Sequence, residues 1–508
     1  MKIKKFQKNI GLLMIIIIIS KLFGMFRDVV LANYYGTSNI SDAYLIASSV
    51  PTLLFYFIGH ALSTAYIPMY NKVKKEKGIS AANKYTSNII NISLLICTGI
   101  IVLLLIFPTQ IVKLFAVGFD NETAALASRF IRYSALSLYF MVLVNVGNGF
   151  LQLNDNFIVP AAISIPQNLA IIATIVLSTT LGIMTMGWGI LAAKILEFLL
   201  ILPFIKMNEY KHSAVIDIQD QSVRETLYVV VPIIIGVGVS QIDNAISKSI
   251  ASTISEGAIS ALSYASIINT AVQEVLVTGV VTVLFADSAA HVANNEYEKV
   301  KHKLSKTIDG MMLLLIPASI GAIILAEPIV TVFFSRGNFN KQSIEMTSAA
   351  LQLFSIGMVF ISVRNSLIKV FYAYKDTKTP TITSVSVIIV NIILSLIFSK
   401  MLGVQGVALA NSSVAIIHCL TLYFLLKHKI GDFNTIKTLK NSSKALIAGI
   451  IMGAIVYVMN HFIMPINMVA SIMVTVPLGM AVYALTVIAL KSEPALDVCK
   501  RVKSILKK

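Results

Sequence analysis

This chain has little charge for its length. Of its 508 residues only 13% are Asp, Glu, Lys or Arg, where soluble domains carry about 25%, and 56% are hydrophobic. So little charge cannot clothe a water-soluble fold, which excludes a soluble domain and implies a multispanning membrane protein. Cysteine is scarcer still: Cys97, Cys419 and Cys499 have neither metal-ligand spacing nor the makings of a disulfide framework. Acidic residues number 24 against 41 basic ones, a net charge of +17. In a soluble protein that excess would suggest nucleic acid. Here the Lys and Arg gather in short loops between apolar runs, as the positive-inside rule requires, and nucleic acid is not implied as a partner. Long polar segments are missing, so there is no room for a soluble catalytic domain. Also missing are a phosphate-binding glycine loop, metal-ligand His or Cys spacing, and a nucleophile elbow. An enzyme is therefore not expected, nor a cofactor, and transport would proceed without ATP hydrolysis unless a separate subunit supplied it. The N-terminal MKIKKFQKN and the apolar run after it imitate a signal peptide. No small-residue cleavage site follows, and Lys21 and Arg27 interrupt where one belongs, so a retained first span is expected.

What is present is a succession of apolar runs, each long enough to cross about 30 Å of hydrocarbon. Fourteen are expected, at about 9–33, 41–70, 85–107, 124–151, 158–180, 184–206, 224–252, 258–290, 304–325, 344–373, 380–400, 404–427, 443–464 and 467–490. Pro160 and Pro380 stand where a helix would begin, a position at which the missing N–H does no harm. Lysines cluster at 2–8, 72–84, 299–306 and 427–444, all on one side if the count is right. That places both termini in the cytoplasm.

The chain also repeats itself. PTQIVKLFAVGF from Pro108 matches PIVTVFFSRGNF from Pro328, and 328 − 108 = 220. FLQLNDNFIVP from Phe150 matches FYAYKDTKTP from Phe371, and LGIMTMG from Leu181 matches LGVQG from Leu402, both offset by 221. Tyr44 pairs with Tyr264 at an offset of 220. The expected fold is an all-α integral membrane protein of fourteen transmembrane helices. Two six-helix lobes, 1–215 and 216–437, are followed by two additional helices in 438–490 and a basic cytoplasmic tail, 491–508. Six spans return the chain to its starting side, so the repeat is parallel and binding is expected between its halves.

One stretch departs from plain apolar filler. At about 100° per residue, Ser20, Lys21, Gly24, Arg27 and Asp28 share a helical stripe roughly 120° wide. A charge at bilayer depth costs about 2.5–3.5 kcal/mol on insertion scales, so such residues normally face a bundle interior or a wet cavity. Adding 220 leads to Ser240, Gln241, Asn244, Ser247 and Lys248, another polar stripe in a run of Ile, Val, Ala and Gly. Arg364 and Lys369 sit on one side of the tenth span, and Asp42 opens the second. A cationic cavity built from Lys21, Arg27, Lys248, Arg364 and Lys369 would attract an anionic headgroup, above all a diphosphate. His60 reads as a satisfied interior histidine, and Lys194 and Glu197, three apart, as a pair neutralising itself.

SKLFGMFRDVVLANYYGTSNISDAYLIASSVP, from Ser20, resembles the first-helix signature of the MurJ (MviN) family, within the multidrug/oligosaccharidyl-lipid/polysaccharide exporter superfamily. FYAYKDTKTP is similar to that family's motif before its eleventh helix. The resemblance implies flipping of an undecaprenyl-diphosphate-linked glycan, lipid II, from inner to outer leaflet of the bacterial cytoplasmic membrane. It also implies alternating access through a cation-lined cavity, and cell-wall synthesis proteins as partners. By motif position Arg27, Asp28 and Asp42 match, and Lys21 stands where arginine is usual. Phe55 and Ile267 occupy positions where the family usually has arginine. They leave open a related cargo, such as a capsule or teichoic-type unit. A drug/cation antiporter of the same superfamily would want an acidic cavity and usually twelve spans. Coupling to the membrane potential or to sodium is expected, the ion taking oxygen donors from Asp243, Asn244 and Asp376.

Overall fold

A computed structural model describes residues 2–208, 210–463 and 468–506. Among them the regular structure is entirely helical. The first nine helices are α1 (Lys2–Tyr35), α2 (Asn39–Ile106), α3 (Pro108–Phe115), α4 (Asn121–Ser134), α5 (Ser137–Leu153), α6 (Ile158–Ala162), α7 (Ser164–Leu181), α8 (Met184–Met207) and α9 (Gln221–Ser252). They are followed by α10 (Ala258–Ala293), α11 (Tyr297–Ile324), α12 (Ala326–Phe334), α13 (Lys341–Ala373), α14 (Lys378–Leu402), α15 (Val404–Ile430), α16 (Thr435–Ile463), α17 (Met468–Ala489) and α18 (Glu493–Leu506). Ten helices among the described residues are long and apolar enough to cross a membrane, or twelve when two pairs bent by 47° and 46° each count as one span. The expected spans at 9–33 and 224–252 coincide with α1 and α9, helices of 34 and 32 residues. Phe424, Ile450, Met473 and Leu485 stand exposed on such helices, an apolar surface suited to lipid.

The segment between the second and third expected spans is helix rather than loop. KVKKEK is rich in good helix formers, and α2 runs on through it to Gly78, where φ of 84° and ψ of 175° break the helix in a way only glycine tolerates easily. Likewise α16 begins at Thr435, well before the apolar run.

By packing, the chain forms two compact units. The first is Met1–Ser260 with Arg336–Phe339, and the second Ala261–Ser335 with Asn340–Lys508. In the first, Tyr66 stacks on Tyr85 at 6.1 Å inside a core that also holds Leu62, Phe150, Leu151 and Ile201. The connection leading to α9 is fastened to α2. Asn88 donates to the carbonyl of Asp217 and accepts its N–H, both at 2.8 Å, and Asn91 donates to the carbonyls of Ser213 and Val215. Asp220 then caps α9 by accepting from the N–H groups of Ser222 and Val223. In the second unit, Leu304, Leu367, Phe371, Leu422 and Phe433 form one core. The additional helices α16 and α17 pack through small residues. Gly449 and Gly453 leave no room for a Cβ beside Ile320 of α11, and Gly479 leaves none beside Val456.

The internal repeat extends to backbone detail. Asp120 caps α4 by accepting from Thr123 N–H at 3.1 Å, and Asn340 (340 − 120 = 220) caps α13 by accepting from Ser343 N–H at 2.9 Å. After α5, Asp155 has φ of 58° and Asn156 N–H reaches back to Leu151 C=O. After α13, Lys375 (375 − 155 = 220) has the same φ and Asp376 N–H reaches Phe371 C=O. Both are left-handed helix stops of the same kind.

Candidate functional site

The polar stripe of α1 packs toward α6 and α7. Ser20 Oγ donates to the carbonyl of Ala161 at 2.9 Å, and Arg27 reaches Asn168 Oδ1 at 3.3 Å through Nη1. Asn168, nearly buried, is itself anchored by donating to Ser164 C=O at 2.7 Å. Arg27 also grips its neighbour Asp28, with Nη2 at 2.9 and 3.0 Å from the two carboxylate oxygens and Nε at 3.1 Å from one. The guanidinium thus has a planar, bidentate partner of the kind it suits best. Its side chain keeps 32% of its surface accessible, whereas Asp28 keeps 8%. Lys21, on the same stripe, is exposed and lies outside the lining described next.

Arg27 and Asp28 open onto a cavity of about 380 Å³, within the ordinary range for small-ligand sites, about 300–1,000 Å³. Its walls come from α1, α2, α3, α5, α7, α8 and α9, all in the first unit. Ser48, Ser49 and Thr52 line it from α2, Gln167 from α7, Lys194 from α8, and Gln241, Asn244 and Lys248 from α9. The two stripes related by the repeat therefore meet: Arg27 and Asp28 from one, Gln241, Asn244 and Lys248 from the other. Three cations face the cavity and a single carboxylate with them. Lys194 is paired with Glu197 at 2.7 Å. Such a hollow favours a compact, multiply charged anion, and its hydroxyl and amide groups supply further donors.

Asp42 lies elsewhere. Its carboxylate, 1% exposed, accepts from the N–H groups of Gly257 at 3.0 Å and Ser260 at 2.8 Å, and so closes the N-terminus of α10. It borders a second hollow of about 280 Å³ together with Asp120 and Glu256. Arg364 and Lys369 belong to the second unit, on α13. There Arg364 donates to Asn365 Oδ1 at 3.2 Å, and Lys369 Nζ stands 5.3 Å from the centre of the Phe285 ring, a cation–π contact. Of the oxygen donors expected for sodium, Asn244 lines the first cavity and Asp376 has other duties. Asp376 caps Thr379 N–H at 3.0 Å and pairs with Lys429. Burial alone would push its carboxyl up, yet Lys429 and Thr379 hold it below the usual carboxylate range. Among the described residues no three His, Cys, Asp or Glu side chains gather as a metal site. The side chains of His60 and Ser240 lie outside the described ones.

The family described as "Lipid II flippase MurJ" matches residues 31–478. The chain belongs to the MurJ family. It is 31% identical over 416 residues to "Lipid II flippase MurJ" of Thermosipho africanus, an alignment covering 82% of this chain and 84% of that one. It is 27% identical over 493 residues to "Probable lipid II flippase MurJ" of Rickettsia prowazekii, covering 93% and 95%. Among solved structures, "Lipid II flippase MurJ, inward closed conformation" superposes with a TM-score of 0.80 at 28% identity, over 96% of this chain and 99% of that one. An inward-facing multidrug resistance MATE family transporter of the MOP superfamily gives 0.69 at 15% identity over 82% and 95%, a likeness of fold alone. The matched span begins past Arg27 and Asp28 and so includes most but not all of the cavity lining.

Lys194, Gln167 and the α2 residues Ser48, Ser49 and Thr52 line the cavity but were not singled out from sequence. Lys194 reads there as one half of a self-neutralising pair, and Gln167 sits in a largely apolar run beside Asn168, a partner of Arg27 outside the lining. A pair of adjacent amides in such a run was the available signal.

Proposed function

We propose that this multi-pass membrane protein flips lipid II, the undecaprenyl-diphosphate-linked cell-wall precursor, from the inner to the outer leaflet for peptidoglycan synthesis. The observation that carries this reading is the meeting of Arg27 and Lys248, from the two repeated stripes, on one cavity beside Asp28, Asn244 and Gln241. A diphosphate entering it would exchange its water for charged donors already in place, so the headgroup need not be carried bare through hydrocarbon. Alternating access would open this site to one leaflet and then to the other. We place the protein in the bacterial cytoplasmic membrane, as the family implies, with both termini inside, the orientation its lysine-rich loops favour. Cell-wall synthesis proteins are the partners such a transporter would feed. The cationic lining speaks against a cationic drug as cargo.

A related undecaprenyl-linked glycan is the second reading, supported by Phe55 and Ile267 at positions where arginine is usual in the family. Native mass spectrometry of the purified protein with its co-purifying lipids separates the two. A bound species with the mass of lipid II supports the first reading, and an undecaprenyl diphosphate bearing another glycan supports the second. Absence of any diphosphate-linked polyprenol would sink both.

A further inference from the structure

The cavity holds a cation whose arrangement gives it a purpose of its own. Lys194 lies on α8 with Ile190 one turn before it, and both line the cavity, as residues four apart on one helical face should. Glu197, 7% exposed and bonded to Lys194 Nζ at 2.7 Å, is not part of that lining. The pair is thus polarised, its ammonium toward the hollow and its carboxylate behind. A buried ammonium is costly unless it is paired and hydrogen-bonded, and Glu197 meets that need without leaving the helix. The ammonium has three N–H donors and Glu197 accepts one, so two remain for a ligand. The Arg27 guanidinium, by contrast, already shares three of its contacts with Asp28. Lys248 has no hydrogen-bond or ion-pair partner among the described residues.

We infer that Lys194 is a direct contact for the substrate's diphosphate and that Glu197 is its positioning residue, holding the ammonium at the cavity wall. This rests on the lipid-diphosphate reading above. With Arg27 and Lys248 it places cations from three different helices, α1, α8 and α9, around one anion. Arg27 contributes the bidentate plane, and the two lysines contribute point charges.

The test is binding of undecaprenyl diphosphate to the full-length protein in nanodiscs, by titration at fixed salt, with thermal melting to confirm that each variant is folded. Lys194→Gln keeps a donor for Glu197 but removes the charge, and it should weaken binding about ten-fold or more. Lys194→Arg should recover most of the loss. Glu197→Gln alone should weaken binding, yet add nothing on the Lys194→Gln background, because it acts only through Lys194. Wild-type affinity in Lys194→Gln, with Arg27→Gln still losing binding, would overturn the assignment while leaving the transport reading intact. An equal extra loss from Glu197→Gln on both backgrounds would overturn the positioning role. If the wild-type protein does not bind undecaprenyl diphosphate at all, the lipid-diphosphate reading fails first and takes this one with it.

Discussion

The carboxylate of Asp42 and the backbone N–H of Ser260 are 218 residues apart in sequence and 2.8 Å apart in space. With the bond to Gly257 N–H, one buried side chain thus satisfies two of the donors that a helix start leaves open. Asp42→Asn exchanges one acceptor oxygen for an NH2 facing a backbone N–H. It should cost about 2 kcal/mol of stability, the scale of a charged hydrogen bond. Thermal unfolding in detergent measures it, and an unchanged melting temperature would remove Asp42 from this capping role.

Arg27→Ala should abolish growth of a flippase-depleted bacterium complemented by this protein, with protein levels normal by immunoblot. Arg27→Lys should restore it only in part, because an ammonium keeps the charge but cannot reproduce the planar grip on Asp28 and Asn168. Full growth with Arg27→Ala counts against the cavity as the substrate site.

Gly337 is held in the left-handed region at φ of 56°, and a Cβ there would run into the carbonyl of Asn33, the same carbonyl that accepts from Asn338 N–H at 2.8 Å. Gly337→Ala should therefore destabilise the first unit by about 1 kcal/mol from the backbone alone, and by more once the clash is added. A melting temperature equal to wild type would show that the segment shifts freely to make room.

Outside the spans, hydrogen bonds from Lys427 and Thr435 hold the carboxyl of Asp432 down to about 2. Its unfolded value is about 3.9, so the interaction contributes fully above that pH and is lost as the pH falls through about 2. Because Asp432 is half-exposed, salt should weaken the effect. Carboxyl NMR of aspartate-labelled protein should show one resonance titrating well below the usual aspartate range, and Asp432→Asn should remove it. A midpoint near 4 for that resonance would dissolve the pairing with Lys427.

Much of this was legible in the sequence, for reasons that differ from residue to residue. The spans were readable because a helix in lipid must satisfy its own backbone, which leaves long apolar runs as the signature. The 220-residue repeat was readable because turn chemistry recurs with it, down to the left-handed stops at Asp155 and Lys375. The meeting of Arg27 with Lys248 followed from that register. The destination of Asp42 did not, since a carboxylate at a helix start gives no sign of whether it faces a ligand or a distant backbone N–H. The pairing of Lys194 with Glu197 was legible, but its place on the cavity wall was not, for a related reason. Three-residue spacing shows that a pair can form, but which of its ends points into a cavity is decided by the helices packed around it.

Both ion pairs beside the cavity lie within a single helix, Arg27 with Asp28 on α1 and Lys194 with Glu197 on α8. Each can form as soon as its own segment coils, without waiting for another helix to pack against it. During insertion at the ribosome these segments would enter the bilayer as near-neutral dipoles rather than bare cations, so the charges later offered to cargo need not obstruct biogenesis.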